Sequence, residues 1–136
     1  MPPQVGAMQR PLAVMMRRVQ HMVSPEATLL EVARQMREAK AGALLVAEQG
    51  RFIGVVSEAD LVRKAMAEGA MADQTRVRSV MSSPVITIDI ERSAHDASDL
   101  MAESGIRHLA VTEEGRIVGM LSVRDLLRYF KNWGSL

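Results

Sequence analysis

The chain has 136 residues and a mass of 15.0 kDa, enough for one compact domain or two very small units sharing a core. Hydrophobic residues make up 48% and charged residues 24%, and 17 basic side chains nearly cancel 16 acidic ones, which excludes disorder and gives no ground for nucleic-acid binding. With no Cys there is no disulfide, thiolate nucleophile or Cys-based metal site, and a reducing cytoplasm is the expected home. The strictly apolar run Ala43 to Ala47 is far below the ~20 residues of a bilayer span, so no membrane partner is expected. Met1-Pro2-Pro3-Gln4 lacks signal-peptide character and reads as a poorly ordered lead-in.

Thr28-x-x-Glu31 has the form of a capping box, and Leu29, Val32, Ala33 and Met36 follow at helical spacing. Ala43 to Ala47 and Phe52 to Ser57 flank the polar loop Glu48-Gln49-Gly50-Arg51, a hairpin whose glycine supplies positive φ. A fourth element after Ser57 carries Leu61, Val62 and Met66, and residues 67–74 read as a linker. The pattern then recurs. Val85 to Ile88 suits a short strand, and Ser93-x-x-Asp96 opens a helix bearing Ala94, Ala97 and Met101. His108 to Thr112 and Ile117 to Ser122 form a second hairpin, and Leu126, Leu127 and Phe130 mark a last helix.

Sliding the chain against itself by 65 positions aligns these elements without a gap. Fourteen of the 48 positions from Met16 to Arg63 are then identical, against roughly three expected from composition, so the chain is a duplication. Residues 8–66 form the first repeat, 75–131 the second and 132–136 a tail that holds Trp133. The expected fold is α+β, with two pseudo-symmetric β-α-β-β-α repeats. A unit of about 50 residues excludes too little water alone, so the repeats are expected to pack sheet to sheet, with paired sites in the clefts between them.

The run Gly54-Val55-Val56-Ser57-Glu58-Ala59-Asp60 and its twin Gly119-Met120-Leu121-Ser122-Val123-Arg124-Asp125 share the form Gly-h-h-Ser-x-x-Asp, where h is apolar. With the repeat and the element order, this closely resembles a tandem pair of cystathionine β-synthase (CBS) domains over about residues 8–131. The resemblance implies a ligand-binding module for adenosine-containing molecules such as AMP, ADP, ATP, S-adenosylmethionine or NAD. Asp60 and Asp125 would accept the ribose hydroxyls, Ser57 and Ser122 would contact ribose or phosphate, and the opposite repeat would complete each pocket. A first site would join Ser57 and Asp60 to Val85, Ile86, Ile106, Arg107 and His108. A second would join Ser122, Arg124 and Asp125 to Gln20, His21, Ala41, Gly42 and Ala43. Arg107 and His108 offer positive charge to phosphate where the second site has Gly42 and Ala43, so the first is expected to prefer the more highly charged ligand. The resemblance also implies a homodimer.

The chemistry is reasonable without the family, since a carboxylate accepts two hydroxyl hydrogens at once. A plainer alternative stands beside it: Ser-x-x-Asp at a helix start is also a capping pattern, and local sequence does not separate the two. Ser93, His95 and Asp96 open one helix and point apart, so they form no nucleophilic relay. His21, His95 and His108 fall in different elements and predict no metal site. No catalytic constellation is present, and no cofactor is required beyond an adenine nucleotide as ligand. Two functions follow: a non-enzymatic sensor that passes ligand occupancy to a partner protein, or a structural dimerisation module with vestigial pockets, built on apolar faces such as Leu61, Val62, Leu126, Leu127 and Phe130.

Overall fold

The computed structural model describes residues 11–132; the lead-in Met1 to Gln4, the start of the first repeat at residue 8 and Trp133 lie outside the described residues. In chain order the elements are the helical turn α1 (Leu12–Met15), strands β1 (Arg17–Arg18) and β2 (Met22–Val23), helix α2 (Leu29–Ala39), strands β3 (Ala43–Glu48) and β4 (Arg51–Ser57), and the short helix α3 (Glu58–Asp60). A π-turn (Leu61–Ala65) and two 3₁₀ turns (Met66–Glu68 and Val77–Ser79) come next, then β5 (Thr87–Asp89), α4 (Ala94–Ser104), β6 (His108–Glu113), β7 (Arg116–Ser122) and α5 (Val123–Asn132). The fold is mixed α+β, and the contacts of the described residues divide it into two units: Gln20–Val85, and residues 11–19 together with 86–132.

In the Gln20–Val85 unit the sheet order is β2-β3-β4, with β2 parallel and β4 antiparallel to β3. The polar loop turns on Gly50 at φ 77°, a conformation open to glycine at no steric cost. Thr28 caps α2 in a full capping box with Glu31, and Leu29, Val32 and Met36 face the core beside Leu44, Val46 and Val56. The linker is tied to this helix. The carbonyls of Thr75 and Ala72 accept from the N–H groups of Leu29 and Leu30 at 2.9 and 3.0 Å, satisfying donors that a helix start leaves open. Beyond it, Val77 and Val80 are buried in the same core. The Arg78 guanidinium bridges Glu26 and Glu48, which raises its pKa.

The other unit repeats the plan in the order β1-β7-β6-β5, with β5 parallel to β6 and β7 antiparallel. Leu12, Ile88, Ala97, Leu109, Val111, Leu121, Leu126 and Tyr129 are among its core residues. Both hairpins lie where the sequence predicts them. The first strand of the second repeat is shorter than Val85 to Ile88: pairing begins with the Ile86 carbonyl accepting from Ala110 N–H at 3.1 Å, and Ile88 alone of the strand is buried.

The element after Ser57 differs most from expectation. Its counterpart α5 is a regular helix, whereas here the backbone widens at once into a π-turn, with Met66 N–H donating to the Leu61 and Val62 carbonyls, and ends at Gly69. Ala65 stands where the second repeat has Phe130. The widened turn sets this short side chain inside the core, at 3% exposure.

Candidate functional site

Each Gly-h-h-Ser-x-x-Asp run spans the second hairpin strand of its unit and the first turn of the helix that follows. Its glycine is a matter of room. A Cβ at Gly54 would lie 2.8 Å from the Ser82 carbonyl oxygen and 3.0 Å from Met81 Sδ. One at Gly119 would lie 2.7 Å from the Arg17 carbonyl oxygen and 2.5 Å from Met16 Sδ. In both units the segment that precedes a repeat's first strand lies flat against the hairpin: Val55 and Ser82 exchange backbone bonds of 2.9 and 2.8 Å, and β1 pairs Arg18 with Gly119.

The strand ends on a serine. Ser57 N–H and Oγ donate to Asp60 Oδ2 at 2.9 and 3.1 Å, and Ser57 Oγ accepts from Asp60 N–H at 3.2 Å. Ser122 and Asp125 repeat this at 2.8, 2.9 and 3.2 Å. Both pairs are therefore capping boxes, as the plainer alternative has it. Their burial sets them apart. Asp60 and Asp125 are the buried charged side chains of the described residues, at 6% and 8% exposure, whereas Glu31 and Asp96, which close the same kind of box on α2 and α4, are exposed and half-buried. Capping accounts for the hydrogen bonds but does not require the carboxylate to leave water, which costs free energy unless its lone pairs are met.

At Asp60 they are met. Oδ1 accepts from Ser82 Oγ at 3.1 Å and from Lys64 Nζ at 3.0 Å. Lys64 also donates to Ser82 Oγ at 3.0 Å and to the Val80 carbonyl at 3.3 Å. Neither Lys64 nor Ser82 stands out in the sequence: an Asp-x-x-x-Lys spacing is ordinary for a helix, and Ser82 lies 22 residues from its partner.

The structure brings Ser57 and Asp60 together in one unit and Ser122 and Asp125 in the other. Of the other residues read for the first site, Val85 belongs to the Asp60 unit; Ile86, Ile106, Arg107 and His108 belong to the Asp125 unit. Of those read for the second site, Arg124 shares the Asp125 unit, while Gln20, His21, Ala41, Gly42 and Ala43 lie in the Asp60 unit. Backbone bonds tie Gly42 and Arg107 to the motif of their own unit: the Gly42 carbonyl accepts from Glu58 N–H and the Arg107 carbonyl from Val123 N–H, each at 2.9 Å. Ala43 pairs with Ser57 and His108 with Ser122 across their hairpins. Arg107, Arg124, Gln20, His21 and Ile86 are exposed, and Val85, Ile106, His108, Ala41 and Gly42 are half-buried. Among the described residues no cluster of His, Asp and Glu is placed to hold a metal ion, and no helix is long and apolar enough to cross a membrane.

Comparison with known proteins bears on the whole arrangement. The chain is 35% identical over 107 residues to an uncharacterized protein of Methanopyrus kandleri and 36% identical over 104 residues to the CBS domain-containing protein YhcV of Bacillus subtilis. Those matches take in 77% and 76% of this chain, and 55% and 74% of the relatives. The chain thus spans little more than half the length of the first. The crystal structure of an uncharacterized conserved protein from Pyrococcus horikoshii superposes with a TM-score of 0.81 at 30% identity, covering 89% of this chain and 92% of that one. The family model for the CBS domain matches twice, at residues 8–67 and 77–132. The chain accordingly belongs to the CBS domain family, typically regulatory ligand-binding modules, and carries that domain as a tandem pair.

Proposed function

We propose that the protein is a regulatory module that binds an adenosine-containing ligand through Asp60 and Asp125 and passes its occupancy to a partner protein. The observation that carries this is the burial of both carboxylates at equivalent places, when the carboxylates that cap other helices of the same chain are exposed or only half-buried. An acceptor-only group held by its own serine is suited to the two hydroxyls of a ribose. Family membership supports the same use.

The test is thermal unfolding and calorimetric titration with AMP, ADP, ATP, S-adenosylmethionine and NAD, with GTP as control. A ligand that binds only the folded state at about 100 times its Kd adds about 2.7 kcal/mol. At least one adenosine ligand is expected to raise the midpoint, and Asp60→Ala or Asp125→Ala to weaken it about tenfold or more, the loss of a charged hydrogen-bond acceptor. A midpoint unmoved by every ligand overturns the reading.

One observation favours a second use. Val62 and Leu127 occupy equivalent positions on the elements after the two motifs and stay 53% and 55% exposed, as an interaction module would hold them. Self-association without ligand binding would then be the measured outcome.

A further inference from the structure

We infer that Lys64 is a resident competitor for the Asp60 carboxylate, displaced efficiently only by a ligand that brings its own anion, so that this site selects nucleotides over bare nucleosides. The inference rests on the proposed use of Asp60 as a ligand acceptor.

A carboxylate has about four lone-pair sites, and Asp60 uses four: Ser57 N–H and Oγ on Oδ2, Ser82 Oγ and Lys64 Nζ on Oδ1. An incoming diol has to take acceptor sites from groups already there. The bonds at Oδ2 hold the helix start, so Oδ1 is the oxygen that can change partners. Its donors differ in kind. Ser82 is neutral, and a ligand hydroxyl replaces it like for like. Lys64 is an ammonium, and a hydroxyl that displaces it ends an ion pair without supplying another.

Lys64 is free to move when displaced. Its side chain is 46% exposed, against 8% for Asp60, and it sits on the π-turn at the end of a flexible four-carbon stem. A phosphate on the same ligand would give the released ammonium a new anion, so the nucleotide exchanges one ion pair for another while the nucleoside only loses one. The equivalent residue in the second repeat is Tyr129, an uncharged side chain buried in its own core. The device therefore belongs to the first repeat.

The experiment titrates adenosine and AMP calorimetrically into Asp125→Ala protein, to leave the first site in view, and into the same protein with Lys64→Met, Lys64→Arg or Ser82→Ala added. Lys64→Met keeps the stem and removes the charge. It is expected to tighten adenosine about fivefold, the scale of a half-exposed ion pair, and to shrink the AMP preference about tenfold. Lys64→Arg restores the preference. Ser82→Ala, which takes one neutral donor from Oδ1 and one acceptor from Lys64 but leaves the ion pair in place, shifts both ligands together and leaves their ratio alone. Unfolding midpoints confirm that each variant folds, and Lys64→Gln replaces Lys64→Met if the latter melts early.

An AMP-to-adenosine ratio unchanged by Lys64→Met, or one that collapses equally with Ser82→Ala, overturns the role of Lys64 while leaving Asp60 a ligand site. If neither ligand binds any of these proteins, the selection assigned to Lys64 falls; if ADP, ATP, S-adenosylmethionine and NAD also fail to bind, Asp60 is not a ligand acceptor, and both ideas fall together.

Discussion

A single methyl group is enough to test how tightly each hairpin holds the segment laid against it. At Gly54 and Gly119 the added Cβ meets a backbone carbonyl at 2.8 and 2.7 Å, and backbone cannot turn aside as a side chain would. Gly54→Ala and Gly119→Ala are each expected to cost about 1–3 kcal/mol, read as a lower urea midpoint at unchanged slope. Sequence displays these glycines only as letters of a repeated motif, because the atoms that crowd them come from Met81–Ser82 and Met16–Arg17, far along the chain. The same limit applies at Asp60. Its pairing with Ser57 is legible, since cap and carboxylate are three residues apart, and so is its likeness to Asp125. Its burial and its bond to Ser82 depend on a chain reversal that no local pattern encodes.

The helices show how far local chemistry reaches. Thr28-Glu31 and Ser93-Asp96 are legible as capping boxes, and both form. The Asp96 carboxyl is held down at about 2, first by the Arg92 guanidinium at 3.0 Å and then by the Ser93 N–H and hydroxyl. An aspartate in the unfolded chain titrates at about 4, so between the two values the unfolded chain binds more protons and stability rises with pH. The contribution is complete above about pH 4 and is lost as pH drops through about 2. Asp96→Asn is expected to flatten that part of the acid limb, seen in unfolding midpoints between about pH 5 and pH 2; an unchanged slope would show that the pair adds nothing. The hairpins were equally legible, because alternation and a polar glycine turn are short-range signals. The π-turn was not. Leu61, Val62 and Met66 carry ordinary helical spacing, and the core that Ala65 enters is built with strands distant in the chain.

At the level of the whole molecule, the unit of sequence and the unit of contact are offset. Repeats run from residues 8 and 75, whereas contacts group Gln20–Val85 and leave residues 11–19 with the second repeat. Val77 and Val80, buried with the first unit, each contribute on the order of 1.5–3 kcal/mol. A fragment of residues 20–85 is therefore expected to keep more helix and a more cooperative melt by circular dichroism than a fragment of residues 8–66, which lacks both valines. Equal signals from the two would place the limits of folding where the repeat pattern does. The offset also constrains ancestry. Met16–Arg18 of one copy lies on the hairpin of the other, and Met81–Ser82 returns the exchange, so each copy completes its neighbour rather than itself. A gene encoding one copy would have reached the same pairing only by trading those segments between two separate chains, and duplication would have turned that swapped dimer into a single polypeptide.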